Sequence, residues 1–297
     1  MGQAVEVMTK HSMRFRGRPA SQDRALIMAI VNRTPDSFYD HGATFDEGAA
    51  RAAIERAVAD GADVIDIGGV PASPGPEVAV SDELDRILPT LEWARATYPE
   101  TVISIDTYRH EVAEQVCRSG ADLLNDNWGN YDGRMLDVAA EYQCGYVCAH
   151  TGGLTPRTDP VRPAYDDVVA SVIADTTQLA RQAVEKGVPA EGIMLDPAID
   201  FSKTTWHSLE ILRRVDELIA TGWPVLMAMS NKGVVGETLG VELDDRVTGT
   251  LAASALAARE GVAMFRAHQV AETRRTVEMV ASITGERPPA QAIRYLV

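Results

Sequence analysis

Apolar residues along this chain gather into two alternating kinds of segment. Eight short runs, at 25–32, 64–68, 102–106, 123–126, 145–150, 193–197, 225–230 and 263–268, are near-continuous Val, Ile, Leu and Met. That pattern predicts strands of a parallel sheet covered on both faces, since a strand with one face in water would alternate. Longer stretches with helical spacing lie between them, among them Asp46 to Asp60, Asp82 to Ala96, Glu111 to Ser119, Asp166 to Lys186 and Thr248 to Glu260. Gly61, Gly120, Gly187 and Gly261 each stand just before the next strand, as in the helix-to-strand turn of a repeated βα unit. Eight such units predict a single (β/α)8 TIM barrel over residues 25–297. An open doubly wound sheet competes with it, but would usually carry a glycine-rich dinucleotide turn after its first strand, and none follows Val31.

Nearly every run ends in polar residues: Asn32, Asp66, Asp106-Thr107, Asn125-Asp126, His150, Asp196-Pro197, Ser230 with Lys232 behind it, and Arg266-Ala267-His268. A parallel barrel brings its strand ends around one pocket, so these side chains are the first candidates for a binding site.

Composition narrows the classes. A length of 297 residues suits one barrel domain. No apolar run approaches the roughly 20 residues of a membrane helix, and 45% hydrophobic with 24% charged residues predicts a soluble globular protein without membrane contact. The net charge of -15 argues against nucleic acid, which needs a basic face. Cys117, Cys144 and Cys148 lack paired C-x-x-C spacing, which disfavours both a disulfide framework and zinc and fits a reducing cytoplasm. Residues 1–24 carry scattered arginines without a secretory apolar core, and are expected to form a partly mobile N-terminal arm.

The strand-end segments together resemble the dihydropteroate synthase family from about Ala25 to Ile283. Asn32 to Phe38 resembles the family's first loop motif, Ile65 to Gly69 its second strand and Ser104 to Tyr108 its third. Asn125-Asp126, Asp196-Pro197 with Phe201 and Lys203-Thr204, Ser230 with Lys232, and Arg266 with His268 follow in the family's order. The resemblance implies a barrel that joins 6-hydroxymethyl-7,8-dihydropterin diphosphate to p-aminobenzoate with help from magnesium, in a homodimer. It implies a pterin site of Asp106, Asn125, Asp196, Lys232 and Arg266. Asn32, Arg266 and His268 would face the diphosphate, with Asn32 also on the metal. The chemistry is apt, because an aminopyrimidinone edge needs a carboxylate for its N–H donors and a cation or amide for its carbonyl. No catalytic residue is assigned beyond the retained positions Lys232, Arg266 and His268.

The chain also departs from the family. Where the second loop typically reads Glu-Ser-Thr-Arg-Pro-Gly, it has Val70-Pro71-Ala72-Ser73-Pro74-Gly75, without the Arg that would hold diphosphate or the Thr of the aminobenzoate pocket. The family's Ser-Arg-Lys-Ser is Ser230-Asn231-Lys232-Gly233, read as a further loss on the aminobenzoate side. Glycines of the sixth segment are Ala198, Asp200 and Ser202; Arg33 replaces a small apolar residue and Gln269 a common Asp. The pattern implies a homologue whose pterin pocket persists while synthase activity is lost or very weak. An active dihydropteroate synthase with an unusual second loop, a non-catalytic binding or regulatory protein, and a pterin-dependent methyltransferase remain as alternatives.

Overall fold

The computed structural model describes residues 13–20, 23–35, 42, 44–158 and 163–294. A small hairpin comes first, β1 (Arg14–Phe15) paired antiparallel with β2 (Arg18–Pro19). Eight strands follow: β3 (Leu26–Asn32), β4 (Val64–Gly68), β5 (Val102–Asp106), β6 (Leu123–Asp126), β7 (Gly145–Ala149), β8 (Ile193–Asp196), β9 (Leu226–Met227) and β10 (Met264–Ala267). They form one sheet in the order β8-β7-β6-β5-β4-β3-β10-β9, with every pair parallel. A single bridge between Leu195 and Val225 joins β8 to the start of β9 and closes the cylinder, with the Leu195 N–H donating to the Pro224 carbonyl at 2.9 Å. The fold is a (β/α)8 barrel. Strand β9 is shorter than the run at 225–230 because the chain leaves the sheet after Met227 and enters the turn at Ser230.

The barrel helices are α1 (Glu47–Ala59), α2 (Val80–Thr97), α3 (His110–Arg118), α4 (Met135–Tyr142), α5 (Val168–Lys186), α6 (Thr205–Arg213), α7 (Val215–Ile219), α8 (Gly233–Leu239), α9 (Val247–Glu260) and α10 (Val270–Thr284). Local chemistry sets their ends. The Asp46 carboxylate accepts from the Ala49 N–H at the start of α1, and Asp167 accepts from Val169 and Ala170 at the start of α5. Gly187 ends α5 at φ 101° and Gly261 ends α9 at φ 111°, left-handed positions that suit glycine.

Both faces of the strands are buried, which is why their sequences do not alternate. Ile27, Ile65, Ile67, Ile103, Ile105 and Phe265 face the helices, in one core with Ile54, Ile87, Leu91 and Val277. Met28, Val64, Val102, Leu123, Met194 and Met264 point inward and fill the lower barrel. Met13 and Phe15 of the hairpin join this inner cluster and are almost fully buried. Arg16 secures the hairpin by donating to the carbonyls of Cys117 (2.8 Å) and Ala121 (2.9 Å), and Arg18 pairs with Asp122 at 3.0 Å. The arm expected at 1–24 is therefore, over 13–20, a plug in the base of the barrel. Residues 1–12, 21 and 22 lie outside the described residues.

Candidate functional site

Near the C-terminal strand ends the inward positions change from apolar to polar. Val64 is followed on the same face by Asp66, Val102 by Ser104 and Asp106, Leu123 by Asn125, Met194 by Asp196 and Met264 by Arg266, each two residues on. The arrangement centres on Asp66 and Arg266. Arg266 Nε donates to Asp66 Oδ2 at 2.6 Å, and its Nη2 reaches Asp106 Oδ2 at 3.0 Å. Asp66, fully buried, also accepts from the Ser104 hydroxyl at 2.6 Å and from Asn125 Nδ2 at 3.0 Å. A buried carboxylate is tolerable when its lone pairs are filled in this way. Asn127 Nδ2 donates to Asp106 at 2.8 Å. Burial raises the Asp106 carboxyl above the usual range; Arg266 works against that shift and the Asp66 charge reinforces it.

Asp196, also buried, accepts the Ala198 N–H at 2.7 Å. Burial raises its carboxyl, opposed by Lys232. Lys232 donates to the Ile199 carbonyl at 2.7 Å and sits 5.1 Å from the centroid of the Phe201 ring. Trp128 backs Phe201 edge-on at 5.5 Å. His268 Nδ1 meets the Ser230 hydroxyl at 3.0 Å. Burial, with Arg266 and Lys232 nearby, lowers its pKa to about 3, so the ring is neutral at physiological pH. The carbonyl oxygen of the Asn125 side chain is buried with no hydrogen-bond partner among the described residues.

Above this layer opens a cleft of about 650 Å³, counting the space open to solvent. Asn32, Asp106, Lys232, Arg266 and His268 line it, together with Phe201, Asn127 and the loop Val70-Pro71-Ala72-Ser73. Asn125 and Asp196 do not line it and lie buried beside it. Sequence reasoning gave Asp66 no role beyond its place at a strand end, and none to Ser104 or Asn127. Asp66 was visible as a strand end, but the ion pair that makes it central joins residues 200 positions apart. The first-loop positions Asp36 to Phe38 lie outside the described residues.

Several departures noted in the sequence take on a different meaning here. Asn231 is fully buried and points away from the cleft, donating through Nδ2 to Gln269 Oε1 at 3.0 Å. The differences at 231 and 269 therefore meet in one contact. Arg33 also turns outward: its guanidinium donates to the Arg86 carbonyl at 2.9 Å and to the carbonyls of Thr44 and Phe45, tying the first loop to α2. Ala198, Asp200 and Ser202 keep left-handed backbone at φ 51°, 70° and 49°, a conformation that costs a non-glycine residue about 1–2 kcal/mol. Asp200 offsets this by accepting from the Val234 N–H at 3.1 Å and the Ser208 hydroxyl at 3.2 Å. The second loop is clasped by Arg157, whose Nη1 donates to the Pro71 carbonyl at 3.2 Å while its own carbonyl accepts the Gly75 N–H at 3.3 Å.

Metal ligation has little support from the protein side of the cleft. Among the described residues the one group of three His, Cys, Asp or Glu side chains close enough to share an ion is His110, Glu111 and Asp132, none of which lines the cleft. Asn32 offers a single side-chain carbonyl at the wall.

An eight-stranded parallel barrel whose upper mouth combines carboxylates, a guanidinium, an ammonium and amides is a small-molecule-binding α/β barrel. The pattern of the pterin binding enzyme family matches residues 28–268. The inactive dihydropteroate synthase 2 of Mycobacterium tuberculosis is 59% identical over 284 residues, covering 94% of this chain and 89% of the relative. The dihydropteroate synthase of Streptococcus pyogenes is 35% identical over 271 residues, 90% of this chain and 98% of the relative. Among solved structures, the Yersinia pestis dihydropteroate synthase in a sulfonamide drug complex superposes with a TM-score of 0.86 at 30% identity, over 93% of this chain and 99% of that one. The chain belongs to the dihydropteroate synthase family of pterin binding enzymes.

Proposed function

We propose that the cleft binds a pterin and that the ordinary condensation with p-aminobenzoate is absent or very weak. One observation carries this reading: the polar layer suited to an aminopyrimidinone is assembled, whereas the adjoining wall at 70–73 offers Val, Pro, Ala and Ser. Asp196 would accept from the pterin N–H groups, Lys232 would donate to its carbonyl, and Asn125 supplies a buried acceptor that has no partner among the described residues. Arg266, held in place by Asp66 and Asp106, would present its planar face to the ring.

Condensation requires diphosphate to leave a methylene carbon, so negative charge must be stabilised as it develops. Arg266 already has two carboxylate partners, Lys232 donates to a carbonyl, and His268 is neutral. The loop contributes no cation. A missing cation at such a contact costs about 2–4 kcal/mol, or roughly 30- to 1000-fold in rate. Magnesium usually retains water and is held mainly by substrate phosphates. The lone carbonyl of Asn32 fits an ion brought in with diphosphate, where magnesium would neutralise the leaving group, better than one resident in the free protein.

The further readings are a homodimer and a cytoplasmic location. The outward face of α9 supports the first, as it presents Thr248, Ala252 and Leu256 without a charge before Arg259. Three buried free cysteines support the second. Among the described residues no helix is long and apolar enough to cross a membrane.

The test is calorimetric titration with 6-hydroxymethyl-7,8-dihydropterin diphosphate and magnesium, followed by p-aminobenzoate and a product assay in the same sample. Binding with no dihydropteroate is expected. Turnover at an ordinary synthase rate would overturn the loss of activity.

A further inference from the structure

We propose that Cys117 and Cys144 form a redox modification site, a latent disulfide that hydrogen peroxide closes, stapling the end of α3 to the start of β7. Neither residue lines the cleft, and the proposal stands independently of the pterin reading.

Geometry carries the argument. The two sulfurs are 3.4 Å apart although 27 positions separate the residues in sequence. Cys117 is the next-to-last residue of α3, and Cys144 immediately precedes β7. Both thiols are free and fully buried. A disulfide bond is about 2.0 Å long, so each sulfur has to move about 0.7 Å to form one. Two thiols alone fall short of the four ligands of a structural zinc site. Among the described residues the one three-residue group that could share an ion, His110, Glu111 and Asp132, includes neither cysteine.

The pair lies beneath a turn that the basal hairpin holds. Arg16 donates to the carbonyls of Cys117 at 2.8 Å and Ala121 at 2.9 Å, and the Cys144 sulfur is 3.4 Å from the same Ala121 oxygen. Arg118, beside Cys117, is exposed, so the thiols are close to the surface. Contact with Cys144, together with burial, raises the Cys117 pKa and keeps that thiol protonated and unreactive while the turn is closed. Reaction therefore awaits a local opening at 117–121, and an oxidant little larger than water needs a small one.

The chemistry balances in two steps. One thiol gives two electrons to hydrogen peroxide and becomes a sulfenic acid, with release of one water. The neighbouring sulfur then attacks it, displacing the hydroxyl, which leaves with the attacking thiol's proton as a second water and so forms the S–S bond. Proximity lets this step outrun further oxidation. A thiol reductant restores both cysteines by exchange and is itself oxidised to a disulfide.

The experiment treats the reduced, folded full chain with hydrogen peroxide, blocks the remaining thiols before denaturation, and reads intact mass and non-reducing peptide maps. Cys117→Ala, Cys144→Ala and Cys148→Ala are treated alike, with circular dichroism checking that each is folded. Wild type and Cys148→Ala should lose two hydrogens and show a 117–144 link that dithiothreitol reverses; the other two variants should show no link. The linked form should melt at least about 3 °C higher than the reduced form. Arg16 has φ 49°, which asparagine tolerates, so Arg16→Asn removes the guanidinium and should speed linkage at least about threefold. Three free thiols in folded wild type after treatment, sulfinic acid without a link, or a link through Cys148 would each overturn the proposal. A lower melting temperature on linkage would overturn the stapling role, and an unchanged rate in Arg16→Asn the guarding role of Arg16.

Discussion

Asn231 donates to Gln269 at 3.0 Å behind the cleft wall, where Arg246 also reaches the Asn231 carbonyl at 3.0 Å and the Thr250 hydroxyl accepts the Asn231 N–H at 3.1 Å. This neutral pair occupies the two positions where the family pattern has Arg and Asp. The two differences thus fall on one contact, an exchange that involves the packing of α8, α9 and α10.

The exchange predicts strong coupling between the two positions. Asn231→Arg alone buries a guanidinium opposite an amide and should cost about 3–5 kcal/mol. Adding Gln269→Asp should recover at least half of that loss in urea denaturation. Activity should stay absent in the double variant, because neither side chain lines the cleft. Independent, additive effects of the two substitutions would contradict the pairing.

Arg157 predicts a local effect. Its φ is 60°, so Arg157→Gly keeps the backbone while removing the contact with the Pro71 carbonyl. Amide exchange at 70–76 should accelerate at least about tenfold, with global stability changed by no more than about 1 kcal/mol. Unchanged exchange would mean that the loop is held by something other than the clasp.

A pH effect follows from His150. Burial and the adjacent Lys203 ammonium lower its pKa to about 3 from an ordinary 6.5. Lys203 Nζ lies 3.0 Å from Nδ1, so that nitrogen accepts and the proton resides on Nε2, facing the Ser171 hydroxyl at 3.2 Å. Because the unfolded state binds the proton more readily, this group's contribution to stability is full above pH 6.5 and is lost as pH falls towards 3. Asp126, raised to about 6 by burial, acts in the opposite direction over part of that range, so the informative quantity is a difference between variants. Wild type should lose more stability than His150→Asn between pH 7 and pH 4, by on the order of 1–3 kcal/mol. Parallel curves would rule out a buried neutral ring.

The basal hairpin predicts a cost in global stability. Phe15 is fully buried against the inner cluster, and Phe15→Ala should destabilise by about 3–5 kcal/mol. Chemical denaturation measures this directly; a change below about 1 kcal/mol would mean that the barrel base closes without its plug.

The strands other than β9 were legible within a residue or two because burial of both faces leaves an unbroken apolar run, a signal that needs no knowledge of partners. The hairpin was not, since Met13 and Phe15 are isolated apolar residues among arginines and only the open barrel base gives them a place. Of the site, the strand-end acids and amides could be read by position. Arg33 could have been placed outside the cleft by strand alternation alone, because it follows the inward-facing Asn32. Asn231 could not, since a left-handed turn at φ 55° breaks that alternation. Neither could the Asp66–Arg266 pair, which depends on strands β4 and β10 flanking β3.

The narrow seam between β8 and β9 has a further consequence. Asp196 ends β8 and Lys232 follows β9, so the two groups proposed to grip the pterin edge stand on opposite sides of the one joint closed by a single residue pair. A molecule held by both would act as a tie across the weakest join of the cylinder. Ligand occupancy would then register first as slower opening of that join, making the barrel's own breathing a gauge of what it holds.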